Sequence, residues 1–164
     1  MIDRQGAAAG LVLTALPAGF ALAALTAERV MPSRARARGV VGAVACVVAA
    51  GALAVAPSST AWVAAWLALL GLGLGVFIPS NNHAIMGSIP ARMSGTGGGM
   101  VNMSRGLGTA LGVAAVTLSL HVARSGGVLA GTRLALAVLA AFALVAAVTA
   151  FVDRDRATPV VDPA

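Results

Sequence analysis

Residues 62–111 read WVAAWLALLGLGLGVFIPSNNHAIMGSIPARMSGTGGGMVNMSRGLGTAL. An apolar run with glycines at 71, 73 and 75 ends on Pro79, Ser80, Asn81 and Asn82. A short Pro/Arg connection follows. A second glycine-spaced run then carries Asn102 and Arg105 inside it. Polar groups in so apolar a setting are costly, and they mark a working pathway or a contact between helices.

The rest of the chain sets the solvent. Of 164 residues, 59% are hydrophobic and 10% charged, and the mean hydropathy is +0.95. A soluble domain is about a quarter charged, so this composition cannot cover a water-facing surface and calls for lipid. The basic residues are all Arg, and Lys and Tyr are absent. A net charge of +6 can serve a nucleic acid, but these arginines are spread beside apolar runs and form no patch, so no nucleic-acid partner is expected.

A hydrocarbon core of about 30 Å takes about 20 apolar residues per helix. Five segments qualify, at about 7–27, 39–56, 61–78 (reaching toward Met86), 95–120 and 128–152. Backbone in lipid must bond internally, which makes them helices, and they lack the alternation of a barrel strand. The expected fold is an all-α polytopic membrane helix bundle of about five transmembrane helices. Pro32 with Arg34, Arg36 and Arg38 separates the first two spans. Pro57 to Thr60 separates the next two, with Ser59 or Thr60 placed to cap the third helix. Ser88 to Arg92 and Ser125 to Gly127 make the remaining breaks, and residues 154–164 form a polar tail.

Charge sets the direction. Arg29, Arg34, Arg36, Arg38, Arg92, Arg105, Arg154 and Arg156 fall on one side, and Arg4, Arg124 and Arg133 on the other. The positive-inside rule puts the C-terminus in the cytoplasm and the N-terminus outside. Trp62 and Trp66 then suit the outer interface. Asp3 and Arg4 make a weak leader for a cleaved signal. An outside N-terminus and an odd number of spans give the chain the look of the tail of a longer protein.

Helical spacing sorts the polar and small residues. Gly95, Gly99, Asn102 and Gly106 share one face of the fourth span, and Arg105, Gly108 and Gly112 a second. Gly71 and Gly75 form a small-xxx-small pair on the third. Two such faces predict neighbours on two sides of span four. Asn102 reads either as an amide bonding a neighbouring helix or as the lining of a substrate path. Arg105 either snorkels to the headgroups or latches a conformation. Asn81 and Asn82 read as capping groups or as gate residues near the cytoplasmic end of span three, and Pro79 permits a kink.

Other chemistry finds no frame. Cys46 is the sole cysteine, so no disulfide forms, and His83 and His121 lack ligand spacing; no metal and no cofactor are expected. Gly97, Gly98 and Gly99 have no following Lys for a phosphate loop. Asn102-Met103-Ser104 matches a glycosylation sequon but lies inside a span. Nothing points to an enzyme. No Asp, Glu or Lys falls within a span, with Glu28 at an edge, so the chain carries no evident proton-coupling group.

Residues 71–114, GLGLGVFIPSNNHAIMGSIPARMSGTGGGMVNMSRGLGTALGVA, resemble the late helices of major facilitator superfamily transporters, most of all the EmrB/QacA-type drug:proton antiporter branch. The matching positions are Gly71, Gly73, Gly75, Pro79, Asn81, Asn82, Pro90, Gly95, Asn102, Arg105, Leu107, Gly108 and Gly112. Residues 9–25, AGLVLTALPAGFALAAL, are similar to the helix that opens the late half, and the likeness extends to about Asp153. It implies two helical bundles rocking around a central cavity, of which this chain supplies a partial C-terminal half. The implied parent is a bacterial inner-membrane efflux protein exchanging small lipophilic compounds for protons, and the Ala/Arg-rich, Lys-free composition suits a GC-rich bacterium. The family's acidic coupling residues and antiporter glycine motif belong to the missing half. Glu28-Arg29-Val30-Met31-Pro32-Ser33-Arg34 is a degraded form of its basic loop, with the acid and glycine out of place. The partners this implies are the lipid bilayer and an N-terminal transporter half or another membrane protein. The alternative is a small membrane protein that transports nothing and acts as a structural or regulatory partner.

A reporter active only in the cytoplasm is expected to be active when fused after Ala164. A silent fusion there, with activity from an externally active reporter, inverts the topology.

Overall fold

The computed structural model describes residues 2–30, 35–55, 59–122 and 127–152. Five long helices account for nearly all of them: α1 (Ile2–Val30), α2 (Ala35–Val55), α3 (Thr60–Gly87), α4 (Ser94–Val122) and α5 (Val128–Val152). A single 3-10 turn, Ala91–Met93, precedes α4, and there is no strand among the described residues. All five are long and apolar enough to cross a membrane, giving an all-α, multi-pass membrane bundle. The breaks expected at Pro32, Pro57 and Ser125, and the tail at 154–164, lie outside the described residues.

The helices outrun the hydropathy limits. At 1.5 Å per residue, α3 with its 28 residues spans about 42 Å, well beyond a hydrocarbon core. Span three therefore continues through Pro79, Asn81 and Asn82 to Gly87 as one helix. Pro79 removes the N–H that would bond the Gly75 carbonyl, and the helix carries on past it. Ser59 sits at the N-cap of α3 but its side chain makes no capping bond; its carbonyl instead accepts from the Val63 amide at 3.1 Å. The helix stops where Ser88 N–H bonds the Ile85 carbonyl and Pro90 offers no donor. Gly127, at φ +84°, takes a backbone conformation suited to glycine and leads into α5.

In space the helices follow the order α1, α3, α2, α5, α4, with α4 only lightly touching α3. The centre is α3, and its glycines explain why. Gly71 and Gly75 lie against the α1 backbone at Leu16 and Phe20, and Gly19 of α1 answers against Ala68. On the opposite side, a Cβ on Gly42 of α2 would lie 2.7 Å from the Gly73 carbonyl oxygen, and one on Gly73 would lie 2.8 Å from the Cys46 sulfur. Both contacts are backbone-close, which is how helices gain dispersion energy where lipid removes the hydrophobic drive between them.

The core is built of small side chains. Among the described residues its buried apolar side chains are Ala23, Ala43, Cys46, Ala49, Ala50 and Ala135, while Leu11, Leu25, Val55, Leu111 and Phe151 are exposed. That reverses a soluble fold and fits a molecule whose outside is hydrocarbon. Buried hydroxyls turn back on their own helices: Ser80 Oγ donates to the Val76 carbonyl and Ser119 Oγ to that of Ala115, each at 2.7 Å. Each thereby avoids an unmet donor in lipid.

Gly71→Ala is expected to cost about 2 kcal/mol, because its Cβ must push α1 and α3 apart. Gly51→Ala, with open space around it, is expected to be neutral or stabilising by up to about 1 kcal/mol. Reversible unfolding in detergent measures both, and equal effects would remove the close-packing account.

Candidate functional site

Two groups of polar residues stand out, and they differ in environment. The first is the middle of α4. Every residue from Asn102 to Leu111 is exposed, and α4 meets its neighbours toward its ends, where Gly97 and Ser119 are buried. Arg105 lies within about 5 Å, along the axis, of the helix midpoint at Gly108. Neither its guanidinium nor the Asn102 amide has a hydrogen-bond or ion-pair partner among the described residues. Thr109 Oγ1 bonds back to the Arg105 carbonyl at 2.9 Å.

The glycines of this helix tell the same story. A Cβ on Gly95, Gly99, Gly106, Gly108 or Gly112 would meet nothing within 4 Å, and only Gly97 is closely approached, by the Ile89 side chain. The two faces expected to pack on neighbours therefore have none within this chain's described residues. Gly71 and Gly75, with the same kind of spacing, are fully engaged against α1. The spacing is equivalent; what differs is the position of each helix in the bundle.

Asn81 and Asn82 are placed by length. Trp62 and Trp66 pack edge to face with ring centroids 5.5 Å apart at the start of α3. Asn82 is about 30 Å further along the axis, so with the indoles at one interface the paired asparagines reach the other. Asn81 is exposed and Asn82 half-buried. Asn81 and Asn82 belong to α3 and Asn102 and Arg105 to α4, two helices that touch only lightly.

The second group was not singled out in the sequence. Arg38 belongs to the first turns of α2, not to a loop, and is 7% exposed. Its Nη1 donates to the Ala27 carbonyl of α1 at 3.4 Å, and its Nε is enclosed without a partner among the described residues. Beside it lies a cavity of about 20 Å³ lined by Ala24, Ala27, Arg38, Pro79, Ser80 and His83. The available signal was Arg38's place one helix turn before Gly42, which turns it toward the α2–α3 contact. No three His, Cys, Asp or Glu side chains gather into a metal site among the described residues.

Comparison with protein-family models, curated proteins and solved structures gives no match for this chain.

Asn102→Leu is expected to leave the stability of this chain alone unchanged or slightly raised. A loss of more than about 1 kcal/mol on unfolding in detergent would mean that the amide bonds a neighbouring helix.

Proposed function

We propose that this chain forms part of a membrane transporter of the major facilitator type, in an efflux assembly that exchanges small lipophilic compounds for protons. The observation that carries the proposal is the exposed middle of α4. It presents Asn102, Arg105 and the uncovered Gly106 and Gly108 at a depth where lipid cannot solvate an amide or a guanidinium. Further transmembrane helices lying on this face would complete the packing and enclose a polar path.

In that assembly the α1–α3–α2 unit acts as scaffold. Helix α4, held mainly by α5, is the mobile element and lines the path. Asn102 supplies a donor and an acceptor to a passing solute. Arg105 pairs with an acidic group on the opposing helices in one conformation and releases it in another, acting as the latch. Its exposure and central depth support this role over loop anchoring. Asn81 and Asn82, at the far interface, suit the rim of the same path.

No acidic residue lies in any of the five apolar spans, so the proton carrier is assigned to the other helices of the assembly. This chain by itself is inactive. Its orientation, with the C-terminus in the cytoplasm of a bacterial inner membrane, belongs to the same proposal.

The test is proton-driven export of a lipophilic dye. This chain alone in proteoliposomes is expected to match empty vesicles, and the complete assembly to export. Arg105→Ala in the assembly is expected to lower export about tenfold or more with insertion unchanged, the loss of one charged contact of about 1.4 kcal/mol or more. Wild-type export by that variant removes the latch. Transport by the isolated chain removes the partial-bundle proposal, and an assembly that never transports favours a structural partner.

A further inference from the structure

The Arg38 cleft has a chemistry that the transport proposal does not use. A guanidinium offers five N–H donors and cannot give up its charge. At Arg38 one donor reaches a carbonyl, at the long distance of 3.4 Å, and the Nε is enclosed with no partner among the described residues. The residue is more than nine-tenths buried. Leaving a buried charged donor unmet costs more than an ordinary lost hydrogen bond, so the site favours whatever brings it an acceptor.

The cavity beside Arg38 limits what that acceptor is. About 20 Å³ is room for one water-sized atom and little more. Among the described lining residues, Ala24 and Ala27 bring no side-chain acceptor, the Ser80 hydroxyl is turned to the Val76 carbonyl, and His83 is already engaged in an interaction of its own. A ligand that meets Arg38 here brings a single oxygen on a larger group that stays outside, and a negatively charged oxygen also offsets the guanidinium charge.

Place in the membrane supplies the source. The cleft lies between the last turns of α1, the first turns of α2 and the last turns of α3, at the end of the bundle where Arg29 and Arg92 are exposed. Arg38 is the second residue of the apolar stretch Ala37–Val55, which sets the cleft toward the headgroup region, and basic pockets between transmembrane helices at such a level take acidic lipid headgroups. We propose that the Arg38 cleft is a phosphate-oxyanion site that seats the headgroup of an anionic phospholipid, one phosphoryl oxygen entering the cavity and Arg38 anchoring it. The acyl chains then lie along the exposed apolar flanks of the same helices. Seating the headgroup ties α1, α2 and α3 together at one end. The proposal holds whether or not the chain takes part in transport.

The experiment uses the full chain, stripped of lipid in a phosphate-free maltoside detergent, with thermal unfolding followed by the fluorescence of Trp62 and Trp66. Dioleoylphosphatidylglycerol is expected to raise Tm by about 4 °C. Dioleoylglycerol, with the same chains and no phosphate, is expected to leave it unchanged. Inorganic phosphate forms a third arm: stabilisation by the lipid alone assigns the site to a headgroup, and equal stabilisation by both assigns it to the oxyanion in either form. Arg38→Gln is expected to weaken phosphatidylglycerol binding about tenfold, the worth of one charge-assisted contact, and Arg38→Lys to recover part of it. Native mass spectrometry of the wild-type chain counts bound phospholipid without relying on any variant. No retained phospholipid, an equal effect of dioleoylglycerol, or equal binding by the Arg38→Gln chain overturns the proposal. Those outcomes mean that the cavity holds only water or that Arg38 is met within the chain.

Discussion

The bundle depends on the close approach of three backbones along α3. A membrane helix gains little by hiding apolar surface from lipid, which is as apolar as the side chain itself. What remains is dispersion, which falls off within an ångström. Only glycine lets helix axes come near enough for whole backbones to contribute, and α3 has glycines on both sides. Gly71 and Gly75 admit α1, and Gly73 with Gly42 admits α2. Neither approach survives an added Cβ without displacement, so the placement of α1 and α2 follows from these few positions.

From that constraint the inverted core follows. If the helices meet at glycine, their neighbours across the interface must be small as well. Among the described residues the buried apolar side chains are those of alanines and one cysteine. The large side chains are pushed outward, where lipid accepts them at no cost. Cys46 is part of this packing: its thiol faces Gly73 and lies 3.9 Å from the Leu70 carbonyl, filling the space a glycine leaves.

The same physics separates two arginines in apolar helices. Arg38 is folded into the α1–α2–α3 junction, close to a carbonyl, and acts on the unit that is already packed. Arg105 stands on a helix that the rest of the chain holds only at its ends. One is a buried charge with an enclosed Nε, and the other an exposed charge near the middle of a long apolar helix. Each is costly in a different way, and the partners proposed for them differ accordingly.

Much was legible in the sequence. The number of spans, their helical state and the small-residue pairing at Gly71 and Gly75 followed from hydropathy, backbone satisfaction in lipid and helical spacing, all of which act within one segment. The tertiary structure decided what no segment contains. It placed α3 between α1 and α2, so its glycines are engaged, and α4 at the margin, so Gly95, Gly99, Gly106, Gly108 and Gly112, at much the same spacing, are bare. It also carried α2 back to Ala35 and turned Arg38 inward, where charge counting had placed it in a loop. Periodicity tells which residues share a face of a helix, but only the order of helices in space tells what that face meets.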